Sequence, residues 1–304
     1  MSVTRPAMIA NVTSLPPTLN TVYSDCGGGP WDTILLSEDG LQFYVHQSRL
    51  LNASKSYFNG LLLPYLGHEL LPETTPPCLQ LSENSAIVDV LLHIIYDIPL
   101  QQHGSTLGAL LETVKALEKY GLPFDIYLVP GSSLFEDIVL KTSYKPLDVY
   151  AVAAEHDLFE MACRASEHLL NLPLVFISEA MVQRLGITYM HMLYNLHLGR
   201  MYVLQRLVMG PPESHEPVLL CGVSNYETLK AAWSVAVCEL LSKASPDIPQ
   251  ALIRSTFEPV QFLTTCQKCQ LQIQRRIDEI VLKWSITPVS LKSGSYCMTG
   301  SAHR

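Results

Sequence analysis

Residues 41–58 read LQFYVHQSRLLNASKSYF, and the rhythm changes in the middle. Leu41, Phe43 and Val45 alternate with Gln42, Tyr44 and His46, the period of a strand with one buried face. Beyond His46 the apolar residues fall at helical spacing instead. The stretch predicts a strand that stops at a histidine and turns directly into helix.

Upstream, DTILL (Asp32 to Leu36), then Ser37-Glu38-Asp39-Gly40, then LQFYVH compose a strand, an Asp-Gly turn and a second strand, which is a hairpin. Downstream, Ser54 stands where an N-cap would open a helix with Phe58, Leu61 and Leu62 on one face. CLQLS (Cys78 to Ser82) reads as a third strand. Ser82 or Ser85 is placed to cap a helix whose Ile87, Val90, Leu91, Ile94 and Ile95 form a core-facing stripe. Thr106 opens the next, carrying Leu107, Leu110, Leu111, Val114 and Leu117, and Gly121 stops it.

The remainder reads as helices. Pro146 opens one with Val149, Tyr150, Ala153 and Ala154, and a second from about Phe159 to Leu170 folds back on it. Thr188 begins a segment that stops at Gly210-Pro211-Pro212. Tyr226, Leu229, Trp233, Val237 and Leu240 mark a later helix, and a long one runs from about Val260 to Trp284. The expected organisation is a flexible lead-in at 1–30 ending in CGGGP (Cys26 to Pro30), a sheet-and-helix domain at 31–121, a helical extension at 122–210, a loop at 211–224, helices at 225–285 and a flexible tail at 286–304.

Hydrophobic residues make up 48% of the 304 and charged residues only 16%, well below the roughly 25% of an average domain, so a partner is expected to cover part of the surface. A net charge of -8 without a Lys/Arg cluster argues against a nucleic-acid ligand. Arg275 and Arg276, followed by Asp278 and Glu279, read as a solvated helix face. No run is long enough to span a bilayer and the N-terminus has no apolar signal region, so no membrane partner and a cytoplasmic or nuclear location are expected. The eight cysteines are scattered, and reduced thiols are the default.

The sharpest chemical candidate is Cys266-Gln267-Lys268-Cys269, with Cys221 and His215 as further ligands of a zinc site or, on another reading, a thiol enzyme. Against it, Phe262, Cys266, Cys269, Ile273, Ile277, Ile280 and Trp284 recur at helical spacing. Both thiols then fall on the apolar seam of one helix, where they act as small hydrophobes. The reading preferred on these grounds assigns no metal, no cofactor and no catalytic residue. No Gly-x-Ser-x-Gly elbow, His-Glu-x-x-His or phosphate loop occurs, and His191 and His197 have no carboxylate pair at ligand spacing.

Asp32 to Leu62 resembles the start of the BTB/POZ domain: an Asp before the first strand, a hairpin ending in His (His46), and a helix pair with the pattern Leu50 or Leu51, Ser54, Phe58, Leu61. LLHIIYDIPL (Leu91 to Leu100) is similar to that domain's helix ending at Tyr96, and Leu110–Leu122 with Pro146–Leu170 is similar to BTB proteins of mushroom-forming fungi. The resemblance implies an α+β fold, a small mixed sheet flanked by helices with an all-helical C-terminal region behind. It implies a non-enzymatic protein–protein interaction module, either a scaffold, a transcriptional regulator or an adaptor for the cullin-3 ubiquitin ligase.

Pairing as a homodimer or heterodimer is expected through Trp31, Ile34, Leu36, Leu50 and Leu51. In many relatives an Arg or Lys follows the hairpin His, whereas here the residue is Gln47, so Asp32 needs backbone donors or a raised pKa. For His46 the expected role is structural, a ring nitrogen bonding a free backbone carbonyl at the junction.

Overall fold

In the hairpin, Leu35, Phe43 and Val45 are wholly enclosed, so the alternation does bury one face. The computed structural model describes residues 21–22, 30–63, 76–100, 104–216, 218 and 221–291. Four strands, β1 (Thr21–Val22), β2 (Thr33–Leu36), β3 (Gln42–Val45) and β4 (Cys78–Gln80), form one sheet in the order β1-β3-β2-β4. β2 and β3 are antiparallel, with Ile34 opposite Tyr44 and Leu35 opposite Phe43. β1 and β4 flank them in parallel. The lead-in at 1–30 lies outside the described residues apart from β1 and Pro30; at β1 the expectation of loose chain gives way to a strand paired with β3.

Helix α1 (Gln47–Ala53) follows β3 directly. α2 (Ser85–Ile95) is capped by Asn84, whose side chain accepts the Ile87 N–H, and not by Ser82 or Ser85. Ser85 is occupied otherwise: its N–H and hydroxyl donate to the Asp39 carboxylate at 2.8 and 2.6 Å. The hydroxyl bond from Ser85 is the main reason the Asp39 carboxyl sits below its ordinary range, and the contact clips the hairpin turn to the positive end of α2. α3 (Leu107–Lys119) is capped by Thr106 and closed at Gly121, as the pattern predicts.

The expected helix after Ser54 does not form. Tyr57, Phe58 and Asn59 take φ of 53–56°, a left-handed conformation costing roughly 1–2 kcal/mol per residue. Hydrogen bonds from the Phe58 and Asn59 N–H groups to the Ser54 and Ser56 hydroxyls help hold the turn. It buries Phe58, whose ring stacks on Tyr120 with centroids 4.3 Å apart.

The chain divides by its internal contacts into two compact units, residues 1–138 and 139–304. α4 (Phe124–Tyr127) belongs to the first, and α5 (Ser133–Lys141) straddles the division. The second unit contains α6 (Pro146–Glu155), α7 (Phe159–Ser166), α8 (Glu179–Met209), α9 (Val223–Ser242), α10 (Gln250–Phe257) and α11 (Gln267–Ser285). The fold is α+β and mostly helical. α8 starts nine residues before Thr188, at Glu179 under a Ser178 cap, and breaks at Gly186. There φ 63° with ψ 171° suits only glycine.

Trp233 and Phe257 stack at 4.2 Å in the core of this unit. The indole N–H groups of Trp233 and Trp284 donate to the carbonyls of Val208 and Ile248. The tail expected to be loose is ordered to Leu291, which is 3% exposed and donates its N–H to Ser166; residues 292–304 lie outside the described part.

His197 is buried on α8, and its Nε2 has no hydrogen-bond partner among the described residues. Burial draws its pKa below the ordinary 6.5, outweighing the backbone hydrogen bond with Leu169. The unfolded chain therefore binds a proton that the folded chain resists. Stability is retained above about pH 6.5 and declines below it, by at most about 1.4 kcal/mol per pH unit from this residue. Denaturation between pH 7.5 and 5 should show the decline, and His197→Gln should flatten it.

Candidate functional site

Two sets of residues stand out, one in each unit. In the first, Asp32 Oδ1 accepts the Gln47 N–H at 2.6 Å and the Thr33 hydroxyl at 3.1 Å. The carboxylate thus sits at the N-terminus of α1, where the helix favours negative charge; the backbone donor that the absence of Arg or Lys at 47 demanded is this one. His46 hands its N–H to the Tyr96 hydroxyl at 2.8 Å, and its Nδ1 lies 3.0 Å from the same oxygen. Both contacts converge on one phenol oxygen, which fixes the ring at the junction. The ring thus contacts a phenol fifty residues on, tying the strand end to the end of α2. Arg49 lies over the Tyr96 ring, 5.7 Å from its centroid. Ser54 donates to the Tyr120 carbonyl at 2.6 Å.

Of the expected pairing residues, Leu50 is 0% exposed and packs inside its own unit. It faces inward from α1 and has no surface for a second chain, which corrects its place in the set. Ile34, Leu36 and Leu51 are half-buried, and Trp31 is 38% exposed, its ring edge-on to Tyr44 at 4.5 Å. Alternation puts Ile34 and Leu36 on the side of β2 opposite the core, and Tyr44 is paired with Ile34.

The second set is the thiol group. The continuous helix expected from Val260 to Trp284 is broken: Glu258–Leu263 is a 3-10 turn with Pro259 at its start, and α11 begins only at Gln267. Phe262 is 77% exposed, so the apolar seam starts at Cys269. Cys266 is the N-cap of α11 and Cys269 lies in its first turn. The thiols therefore occupy a helix start facing a loop, which corrects the mid-helix seam reading.

The loop opposite is placed by Arg276. Its guanidinium donates to the carbonyls of Leu207 and Gly210, at 2.6 and 3.1 Å, closing the C-terminus of α8. The expected solvated role does not describe this side chain. Beyond Gly210 the chain carries His215 to α11, and Val218 and Cys221 exchange both backbone hydrogen bonds at 3.0 and 2.9 Å. Cys221 is delivered to the same point, just before α9.

There His215 Nε2 lies 3.2 Å from Cys269 Sγ and 3.3 Å from Cys266 Sγ, and Cys221 Sγ lies 3.4 Å from Cys269 Sγ. All four donor atoms fall within 4.8 Å of one another. The sulfur separation is far beyond the roughly 2.05 Å of a disulfide. A hydrogen bond from the Cys269 N–H does most to bring Cys266 down to about 7, while burial is the chief cause pushing Cys269 up to about 12. One thiolate is thus favoured, and a second beside it is opposed unless a cation joins them.

A cavity of about 160 Å³ borders the group, lined in part by Pro211, Pro212, Tyr226 and Ile273. His191 is exposed beside Asn195 and His197 is buried elsewhere on α8, so neither joins. Among the described residues no helix is long and apolar enough to cross a membrane. No family model, no curated protein and no solved structure matches this chain.

Proposed function

We propose that the protein is a non-enzymatic interaction module whose first unit pairs with a second copy of itself through the outer face of the β2–β3 hairpin. The observation that carries this reading is the character of that face. The solvated side of an antiparallel pair such as β2–β3 normally carries polar residues, yet here Trp31, Ile34, Leu36 and Tyr44 lie half-buried or exposed there. The low share of charged residues fits a covered surface. The strand-to-helix junction at Asp32, His46 and Tyr96, together with β4 parallel to β2, is consistent with the BTB-like arrangement that the sequence resembles.

Light scattering over a dilution series should report a dimer at micromolar concentration. Leu36→Lys should give a folded monomer, its thermal transition close to that of the parent because Leu36 is not in the core. A parent chain that is monomeric throughout the series would overturn the reading. Leu50→Lys is no test of it, since charge at that enclosed position unfolds the unit.

A further inference from the structure

We propose that His215, Cys221, Cys266 and Cys269 form a closed, tetrahedral Zn²⁺ site that fastens the loop after α8 to the start of α11. Zn–S near 2.3 Å and Zn–N near 2.0–2.1 Å require donor atoms on the order of 3.6–3.8 Å apart in a tetrahedron. The observed approaches of 3.2, 3.3 and 3.4 Å, within a group spanning at most 4.8 Å, need only small side-chain rotations to reach that figure.

The histidine tautomer supports the assignment independently. Nδ1 lies 2.7 Å from the Glu216 carbonyl, and a carbonyl only accepts, so Nδ1 carries the proton. In the neutral ring Nε2 then offers its lone pair towards the Cys266 and Cys269 sulfurs, with the Cys221 sulfur beside them. This is the form in which histidine ligates metals, the second nitrogen anchored by a backbone acceptor.

Three sulfurs and one imidazole suit zinc above harder cations. Metal binding would release the thiol protons to solvent, each sulfur forming a bond to the ion as its S–H bond breaks, with no change of oxidation state. Four protein ligands fill the tetrahedron and leave no position for a reactive water, so the role is structural. The backbone is prepared for it: the Val218–Cys221 backbone pair, the Cys266 cap and the Arg276 clamp on α8 position the ligand-bearing segments.

Elemental analysis of the full chain, purified without chelator, should give about one zinc per chain. Cobalt exchanged into the site should show the intense ligand-field bands of a tetrahedral ion together with thiolate charge transfer. Cys266→Ser and His215→Ala should each lower the zinc content severalfold. Should a variant fail to fold, alkylation of the parent decides: Cys221, Cys266 and Cys269 should be protected in zinc and become reactive with chelator, while exposed Cys78 and Cys238 react in both. Absence of zinc after incubation with the ion, an octahedral cobalt spectrum, full zinc content in both variants, or a Cys221–Cys269 disulfide in fresh protein would each overturn the proposal. None of these outcomes bears on pairing through the first unit.

Discussion

Replacing Arg200 with alanine is expected to destabilise the helical unit by about 3–5 kcal/mol. The side chain is 5% exposed on α8, and its guanidinium donates to three carbonyls: Pro246 at 2.5 Å, Thr287 at 2.9 Å and Pro288 at 2.8 Å. It also lies over the Trp284 ring, 4.2 Å from the centroid. Each hydrogen bond from a charged donor contributes about 1.5–3 kcal/mol, and the stacked cation adds about 1 kcal/mol. Water reaching the vacated carbonyls offsets part of the sum. Arg200→Lys keeps the charge and loses the planar fork, so it should recover less than half of the loss. Denaturant unfolding followed by tryptophan fluorescence would measure both, because Trp233 and Trp284 lie in this unit. A loss below about 1 kcal/mol would mean that the turn after α11 is held by something else.

Gly121→Ala is expected to cost the first unit about 3 kcal/mol. The residue sits at φ +70°, and an added Cβ would lie 2.3 Å from the Ser56 hydroxyl oxygen and 2.9 Å from the Ser56 backbone nitrogen. The hydroxyl could swing away; the backbone could not, because the Lys55 N–H is bonded to the Gly121 carbonyl at 2.9 Å. Gly104 supplies the control, with φ +71° and nothing within 4 Å of the added carbon. Gly104→Ala carries only the conformational cost, about 1 kcal/mol. Thermal unfolding of both variants separates that cost from the close approach, and equal losses would show that the left-handed turn beside Gly121 yields.

How much of this was legible varied with how local the cause was. The hairpin, α2 and α3 follow from alternation, apolar stripes and a Thr cap, all of which act within a few residues. The left-handed turn at Tyr57–Asn59 was not legible, since of these residues only Asn59 tolerates such a backbone readily; the Ser54 and Ser56 hydroxyls and the Tyr120 ring enforce it. The thiol group was half legible. Its four residues were identified as a possible ligand set, but regular spacing on both sides of Cys266 made one helix look continuous. Pro259 and the paired Thr264 and Thr265 were the available signs of a break. Thr264 accepts the Cys266 N–H at 3.1 Å, confirming the new start.

The amino-acid order alone determined the α+β class, the strand-to-helix switch at His46 and the helix stops at Gly121 and Gly210, because period, capping and backbone freedom are properties of neighbouring residues. Tertiary structure alone decided that Leu50 faces inward, that Arg200 and Arg276 close helix and chain ends, and that His215 and Cys221 gather at Cys266 and Cys269. Each of those depends on where a distant apolar surface, carbonyl or sulfur comes to rest, and in this chain those distances are set by packing between elements up to 88 residues apart.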